Sequence, residues 1–412
     1  MQYRPPRVGL FGRLGSGNIG NDATLEAVLA YLKAEQPDAV LDCLCSGPER
    51  VIEQYGVPAA QLNWLHGPQR HPNARLLRVG VTLGRLGLGV LIDGWRISSW
   101  VRRHDVVIVP GMGVLESTLP QRPWELPYSQ FVMSLSGKLF GTKVAFVGVG
   151  ASTVKQRLTG WLLAKSAKLA YYRSFRDEKS LEAAHEMGMS GADDQVYPDL
   201  VFALPSPPGR APATGTIGVG LMAYSGRPDE RADAERIQAE YTDKMSRFVA
   251  RLMDDGHQVR LLIGDADDEA VALDVLTAAR TAWSGPGEPP VIYESFASVA
   301  ELMDQLGTVE SVIGTRFHTV LVALKLCKPT VAIAYGHKHV ALMEQFGVGD
   351  RVQDIRALDV DRLYAMTREL WTERDEIVRT LSARYRIVQQ RLDEQFAALS
   401  TALFDGDRDA RG

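Results

Sequence analysis

Arg176, Arg316 and His318 stand out for chemistry, and two of them share the stretch G-T-R-F-H at 314–318. An arginine is a permanent cation whose planar fork takes a carboxylate or a phosphate through paired hydrogen bonds, whereas a histidine can gain or lose a proton near neutral pH. Residues 309–313 read as a short buried strand closed by Gly314, and 317–326 as an apolar run at helical spacing with Thr315 as its expected N-cap. Lys328 and Pro329 end that helix and a second strand follows at 330–334. In a parallel sheet, ligands bind in the crevice outside the carboxyl ends of the strands, and a helix start there offers unpaired amides, here that of Phe317. The stretch therefore reads as an anion site. By itself the pattern also fits a histidine that merely satisfies a nearby carbonyl.

Residues 168–186 carry a second signal: a strand ending at Ser174 or Phe175, then Arg176 and Asp177 before a helix that starts near 179–181. A third lies after the buried strand 105–110, where Gly111 and Gly113 let the backbone approach a neighbour. Glu116 is placed there as an acid or base, although it reads first as a solvated carboxylate at a helix start.

Near the N-terminus a strand at 7–11 runs into Gly15-x-Gly17-x-x-Gly20, which has the form of a dinucleotide fingerprint, with Asp42 as the ribose acid. The spacing argues against it, because Gly12, Arg13 and Leu14 separate the strand from the first of these glycines.

The chain of 412 residues is long enough for two domains; its 45% hydrophobic and 23% charged content is that of a globular protein. With 46 Lys and Arg against 50 Asp and Glu the net charge is -4, so no polyanion-binding surface and no nucleic-acid partner is expected. Cys43, Cys45 and Cys327 form neither a CxxC pair nor an even framework, which suits free thiols and gives no zinc site. The first residues lack the layout of a secretory signal, so a cytoplasmic protein is expected.

The segment 75–103 is apolar but interrupted by Arg78, Arg85 and Asp93, too early for a membrane-spanning run. Two readings stay open. It is a core helix, or a pair of helices, with snorkelling arginines, or it is an interfacial element whose Arg75, Arg78, Arg85, Arg96, Arg102 and Arg103 face anionic lipid. After a Pro- and Gly-rich linker at 206–215, strands and helices alternate again up to 306, which predicts a second parallel sheet covered on both faces. A long helix is expected from about 359 to 403, and a frayed tail at 405–412.

The order Arg316, His318, Pro329, Tyr335, Lys338 resembles the C-terminal signature of the polysaccharide pyruvyl transferase family, R-x-H followed by P-x-x-x-x-x-Y-x-x-K. Arg176, Asp177 and Ser180 resemble its R-D-x-x-S element. Asn18, Gly20 and Asp22 resemble its N-x-G-D turn with Asn21 as an extra residue, and Gly111 and Gly113 stand where it carries a run of glycines. The resemblance implies an α/β fold of two Rossmann-like domains facing each other across a cleft, as in glycosyltransferase-B enzymes, with the C-terminal helix crossing back. The expected domains are 1–205, on the acceptor side, and 216–404.

It further implies transfer of the enolpyruvyl unit of phosphoenolpyruvate to a sugar of a cell-envelope polysaccharide or glycolipid, forming a ketal and releasing phosphate. Arg176, Arg316, Phe317 and His318 would bind the donor, His318 and Arg316 would serve catalysis, and Asn18, Asp22, Gly111, Gly113, Glu116 and Lys338 are candidate acceptor or loop contacts. No cofactor and no metal is expected. A lipid-linked acceptor would suit peripheral contact with the inner membrane face. The rival reading is a glycosyltransferase with a nucleotide-sugar donor, for which Gly264, Asp265, Glu294 and Ser295 are the candidate contacts. A third, a non-catalytic sugar-binding protein, conflicts with Arg176, Arg316 and His318.

Overall fold

Apolar runs such as VVIVP and KVAFVGV show no polar and apolar alternation, which commits them to strands covered on both faces. The computed structural model describes residues 4–64, 75–116, 122–189, 191, 194–206, 215–226, 228–296 and 298–404. The chain divides into two units, one of residues 1–16, 24–200 and 391–412, the other of 17–23 and 201–390. The first turn of the first helix thus groups with the second unit, and the end of the last helix with the first.

In the first unit the elements are β1 (Arg7–Gly12), α1 (Ile19–Glu35), β2 (Val40–Cys45), α2 (Pro48–Tyr55), β3 (Ala59–Gln61), α3 (Arg75–Val101), β4 (Val106–Pro110), α4 (Leu126–Phe140), β5 (Lys143–Val149), α5 (Arg157–Leu169), β6 (Tyr172–Phe175), α6 (Glu178–Glu186) and β7 (Gln195–Val196). The seven strands are parallel in the order β3-β2-β1-β4-β5-β6-β7, so the winding reverses between β1 and β4. The second unit holds β8 (Thr216–Gly220), α7 (Ala234–Asp254), β9 (Gln258–Leu262), α8 (Glu269–Ala282), β10 (Val291–Tyr293), α9 (Val299–Gly307), β11 (Ser311–Gly314), α10 (Phe317–Lys325), β12 (Thr330–Ala334), α11 (His337–Gln345), β13 (Val352–Asp354), α12 (Val360–Thr372) and most of α13 (Arg374–Phe404). Its six parallel strands run β10-β9-β8-β11-β12-β13, with the reversal between β8 and β11. Such reversal points open a crevice at the strands' carboxyl ends, and β11 delivers Arg316 and His318 to one.

Several expectations change. Thr315 does not cap α10: Arg316 holds the N-cap position, while the Thr315 hydroxyl is buried against the Tyr241 hydroxyl at 2.8 Å. The long C-terminal helix breaks at Glu373 into α12 and α13. Segment 75–101 is one helix of 27 residues, whose Ile97, Trp100 and Val101 are buried; the side chains of Arg75, Arg78 and Arg85 lie outside the described residues. Residues 207–214 of the expected linker and the tail 405–412 also lie outside them.

The dinucleotide fingerprint dissolves in the same way. Gly15, with φ 67°, presses on the Gly47 carbonyl, which a Cβ at Gly15 would meet at 2.2 Å. Asp42 accepts a hydrogen bond from Trp100 Nε1 at 2.6 Å and faces His104 Nε2 at 3.1 Å. Both features serve packing. The last turn of α3 lays Trp100 over Gly9 of β1, where any side chain would collide with the indole.

The last turn of α10 buries Lys325, whose ammonium donates to the Phe202 carbonyl and the Tyr385 hydroxyl, each at 2.9 Å. Burial pushes its pKa down from 10.5 to about 8. Because the unfolded chain then holds more protons between these values, the cost of burying the charge is full below pH 8 and fades as pH rises toward 10.5. Thermal melts of the wild type and of Lys325→Met at pH 7, 8, 9 and 10 should show the wild type gaining stability relative to the variant above pH 8. A constant difference across the series would refute a shifted lysine.

Candidate functional site

The candidate residues fall into two clusters, one in each unit. In the second unit the loop after β9 meets the turn after β11. Asp268 is wholly buried, and its carboxylate accepts four hydrogen bonds: from the Ala223 amide at 2.8 Å, the Gly264 amide at 3.2 Å, Arg316 Nε at 2.7 Å and Arg316 Nη2 at 2.5 Å. Arg316 is thereby gripped side-on, which leaves its Nη1 without a hydrogen bond among the described residues. Its stem rests on Gly264, where a Cβ would come within 2.7 Å. Burial alone would lower the Arg316 pKa, but the hydrogen bonds and charge of Asp268, helped by Tyr335 and Asp265, more than reverse this and raise it.

Thr315, just before it, is pinned on three sides. Its amide donates to the Gly220 carbonyl at 3.1 Å, its hydroxyl meets Tyr241, and its carbonyl faces His339 Nε2 at 3.0 Å. A carbonyl only accepts, so His339 carries its proton on Nε2. Burial, reinforced by the Lys338 charge, pushes the His339 pKa down to about 4, which keeps it neutral at physiological pH. Burial likewise pushes the Tyr241 phenol up, keeping it protonated.

His318 stands on the first turn of α10, edge-on to Phe317 at 5.3 Å between ring centroids. Its imidazole occupies the space a Gly20 side chain would need, with Cε1 1.8 Å from the ideal Cβ position. Any larger residue would displace the imidazole. Asn18 caps α1 by accepting from the Asn21 amide at 3.3 Å and ties that end to Asp265 through Nδ2 at 2.9 Å. Asp22 is buried in the same first turn. Lys338 sits 5.0 Å from the Phe317 ring centroid and 5.1 Å from that of Tyr335.

In the first unit Arg176 follows β6 and is paired with Glu116, and lies 3.5 Å from Asp177. Asp177 in turn caps α6 by accepting from the Ser180 amide at 2.7 Å. Two glycines make room for the pair. A Cβ at Gly150 would stand 2.2 Å from Glu116 and 2.6 Å from Arg176, and one at Gly113 would stand 2.5 Å from Glu116. Glu116 is therefore no solvated helix-start carboxylate; its side chain is 15% exposed and engaged with an arginine. Gly111, with φ 45°, is needed because Thr24 lies 2.4 Å from where its Cβ would be.

Sequence reasoning missed Asp268, His339 and Tyr241. A faint signal existed for the first, since Asp265, Asp267 and Asp268 crowd the carboxyl end of β9. Nothing local marks His339 or Tyr241, whose roles exist only through Thr315. Among the described residues no group of three His, Cys, Asp or Glu is placed to hold a metal ion.

Several solved structures share this fold. A glycosyltransferase from Rickettsia africae matches with a TM-score of 0.59 at 10% identity, over 97% of this chain and 99% of that one. Anabaena HepE in complex with UDP and glucose matches at 0.57 and 12% identity, over 97% and 99%. The UDP-GlcNAc 2-epimerase from Neisseria meningitidis bound to UDP-GlcNAc matches at 0.55 and 11% identity, over 94% and 99%. At such identities the likeness shows the fold alone, two Rossmann-like sheets of the glycosyltransferase-B type. The sequence is more specific: residues 18–337 match the model of the polysaccharide pyruvyl transferases, a stretch that contains Asn18, Arg176, Asp268, Arg316 and His318. The chain belongs to the polysaccharide pyruvyl transferase family.

Proposed function

We propose that the protein transfers the enolpyruvyl unit of phosphoenolpyruvate to two hydroxyls of a cell-envelope sugar, closing a pyruvate ketal and releasing phosphate. The observation that carries this reading is Arg316, held side-on by buried Asp268 with its Nη1 edge unused among the described residues, two residues before His318 on the first turn of α10. A donor that presents both a carboxylate and a phosphate suits such an arginine. The family resemblance adds Arg176 as a second anion ligand.

Protonation of the donor's methylene carbon makes its C2 an oxocarbenium-like centre, which one sugar hydroxyl attacks. Loss of phosphate with the C2–O bond pair regenerates such a centre for the second hydroxyl, and the methylene ends as a methyl. His318 is the proton carrier in this scheme, and Arg316 with the Phe317 amide stabilises the departing phosphate. Of the candidate contacts for the nucleotide-sugar alternative, Gly264 is covered by Arg316 and Asp265 is bound to Asn18, whereas Glu294, paired with Arg260 at 2.6 Å, and Ser295 line a cavity.

Purified protein should release phosphate from phosphoenolpyruvate only when a diol-bearing envelope glycan is present. Turnover of a UDP-sugar instead would replace this reading by the glycosyltransferase one. Arg316→Ala and Arg176→Ala should each weaken phosphoenolpyruvate binding about tenfold or more, as titration calorimetry can measure. His318→Gln should keep much of the donor affinity and lose roughly a hundredfold or more in turnover; near-normal turnover would remove it from the chemistry. Asp268→Asn leaves Arg316 in place but trades one carboxylate oxygen for an amide. A loss of about 1–3 kcal/mol in stability with weakened donor binding is expected, read by denaturant melts and calorimetry on the same samples.

A further inference from the structure

The helical layer formed by α3, α4 and α5 has an apolar and basic outer side. Ser98 and Ser136 share a hydrogen bond at 2.9 Å, Tyr128 donates to the Val90 carbonyl at 2.9 Å, and the Phe131 and Trp161 rings pack 5.4 Å apart, so the three helices form one surface. Along α3 and just past it, Leu88, Leu91, Trp95 and Arg102 recur at helical spacing, and all four are exposed, Leu91 and Trp95 at 72% each. On α5 the spacing repeats with Leu158, Trp161, Lys165 and Lys168, again all exposed. Leu139 and Phe140 extend the apolar side at the end of α4.

The charge is one-sided. By sequence the three helices carry eight Lys or Arg and a single acid, Asp93, in a chain whose net charge is -4. Asp93 is buried and engaged by Arg96 at 3.2 Å, which also donates to the Gln61 carbonyl at 2.7 Å. Arg96 is therefore not one of the lipid-facing arginines the sequence suggested. Pairing with a second copy through this face would set basic residues against basic residues, with no exposed acid among the described residues of the three helices to meet them. Exposed tryptophans beside lysines and arginines instead complement the headgroup region of an anionic membrane.

We propose that this face docks on an anionic lipid bilayer, with Leu91, Trp95 and Trp161 entering the boundary between headgroups and acyl chains and Arg102, Lys165 and Lys168 held against the headgroups. The contact is a surface one, since no helix among the described residues is long and apolar enough to cross a membrane. It does not rest on the donor chemistry proposed above.

Vesicle flotation of the full chain tests it, with phosphatidylcholine alone and with phosphatidylglycerol added. The protein should float with the anionic vesicles at low salt, and much less at high salt or with phosphatidylcholine alone. Arg102→Gln with Lys165→Gln and Lys168→Gln should lower partitioning about a hundredfold. Leu91→Ser with Trp95→Ser should lower it sharply without changing the melting temperature, because these two side chains are exposed at 72% each. Wild-type protein that stays unbound beside anionic vesicles at low salt overturns the proposal. So does a concentration-dependent dimer, seen by sedimentation velocity, that the apolar substitutions remove.

Discussion

The second unit is organised around a carboxylate that water cannot reach. Buried Asp268 is tolerable only because every lone pair has a donor, two from backbone amides and two from Arg316. Taking any of these away leaves a desolvated charge, so loop and arginine fix one another. The amides come from the segments after β8 and β9 and the guanidinium from the turn after β11, so one side chain sets the relation of three strand ends. Thr315 completes the arrangement through Gly220, Tyr241 and His339, both of the latter held neutral by burial. A site fixed in advance loses little freedom when a ligand arrives.

Glycine has a different use here from the one its spacing suggests. Gly20 yields its side-chain space to His318, Gly264 to the stem of Arg316, and Gly113 and Gly150 to the Glu116 and Arg176 pair. In each case a side chain of the two candidate clusters occupies volume that a methyl group would take. The same string, G-x-G-x-x-G, that reads as a phosphate cradle thus splits into a backbone contact at Gly15 and a histidine seat at Gly20. Sharing a fold with enzymes that handle UDP-sugars imposes no shared ligand, because ligand choice resides in such placements.

How far the sequence reached depended on the range of the interaction. Strands β4, β5 and β12 announce themselves as apolar runs, and α10 as an apolar helix between Gly314 and Pro329, because these patterns are written in adjacent residues. The same local reading set Arg316 and His318 at a strand's carboxyl end. It failed at Thr315, where the capping rule was overruled by a tertiary partner, Tyr241, and at Glu373, where a long polar and apolar repeat hid a break between α12 and α13.

What the sequence determined by itself, then, is the two parallel α/β halves and the position of the arginine and histidine that the family signature shares. What only the tertiary structure decided is which groups hold them. Asp268 lies 48 residues before Arg316 and Glu116 lies 60 before Arg176, distances over which no periodicity carries information. The strand order brings them together: β8 sits between β9 and β11, and β5 sits between β4 and β6, so loops remote in the chain meet at one end of each sheet. There a buried charge must find its partner, and that requirement is one of space rather than of spacing.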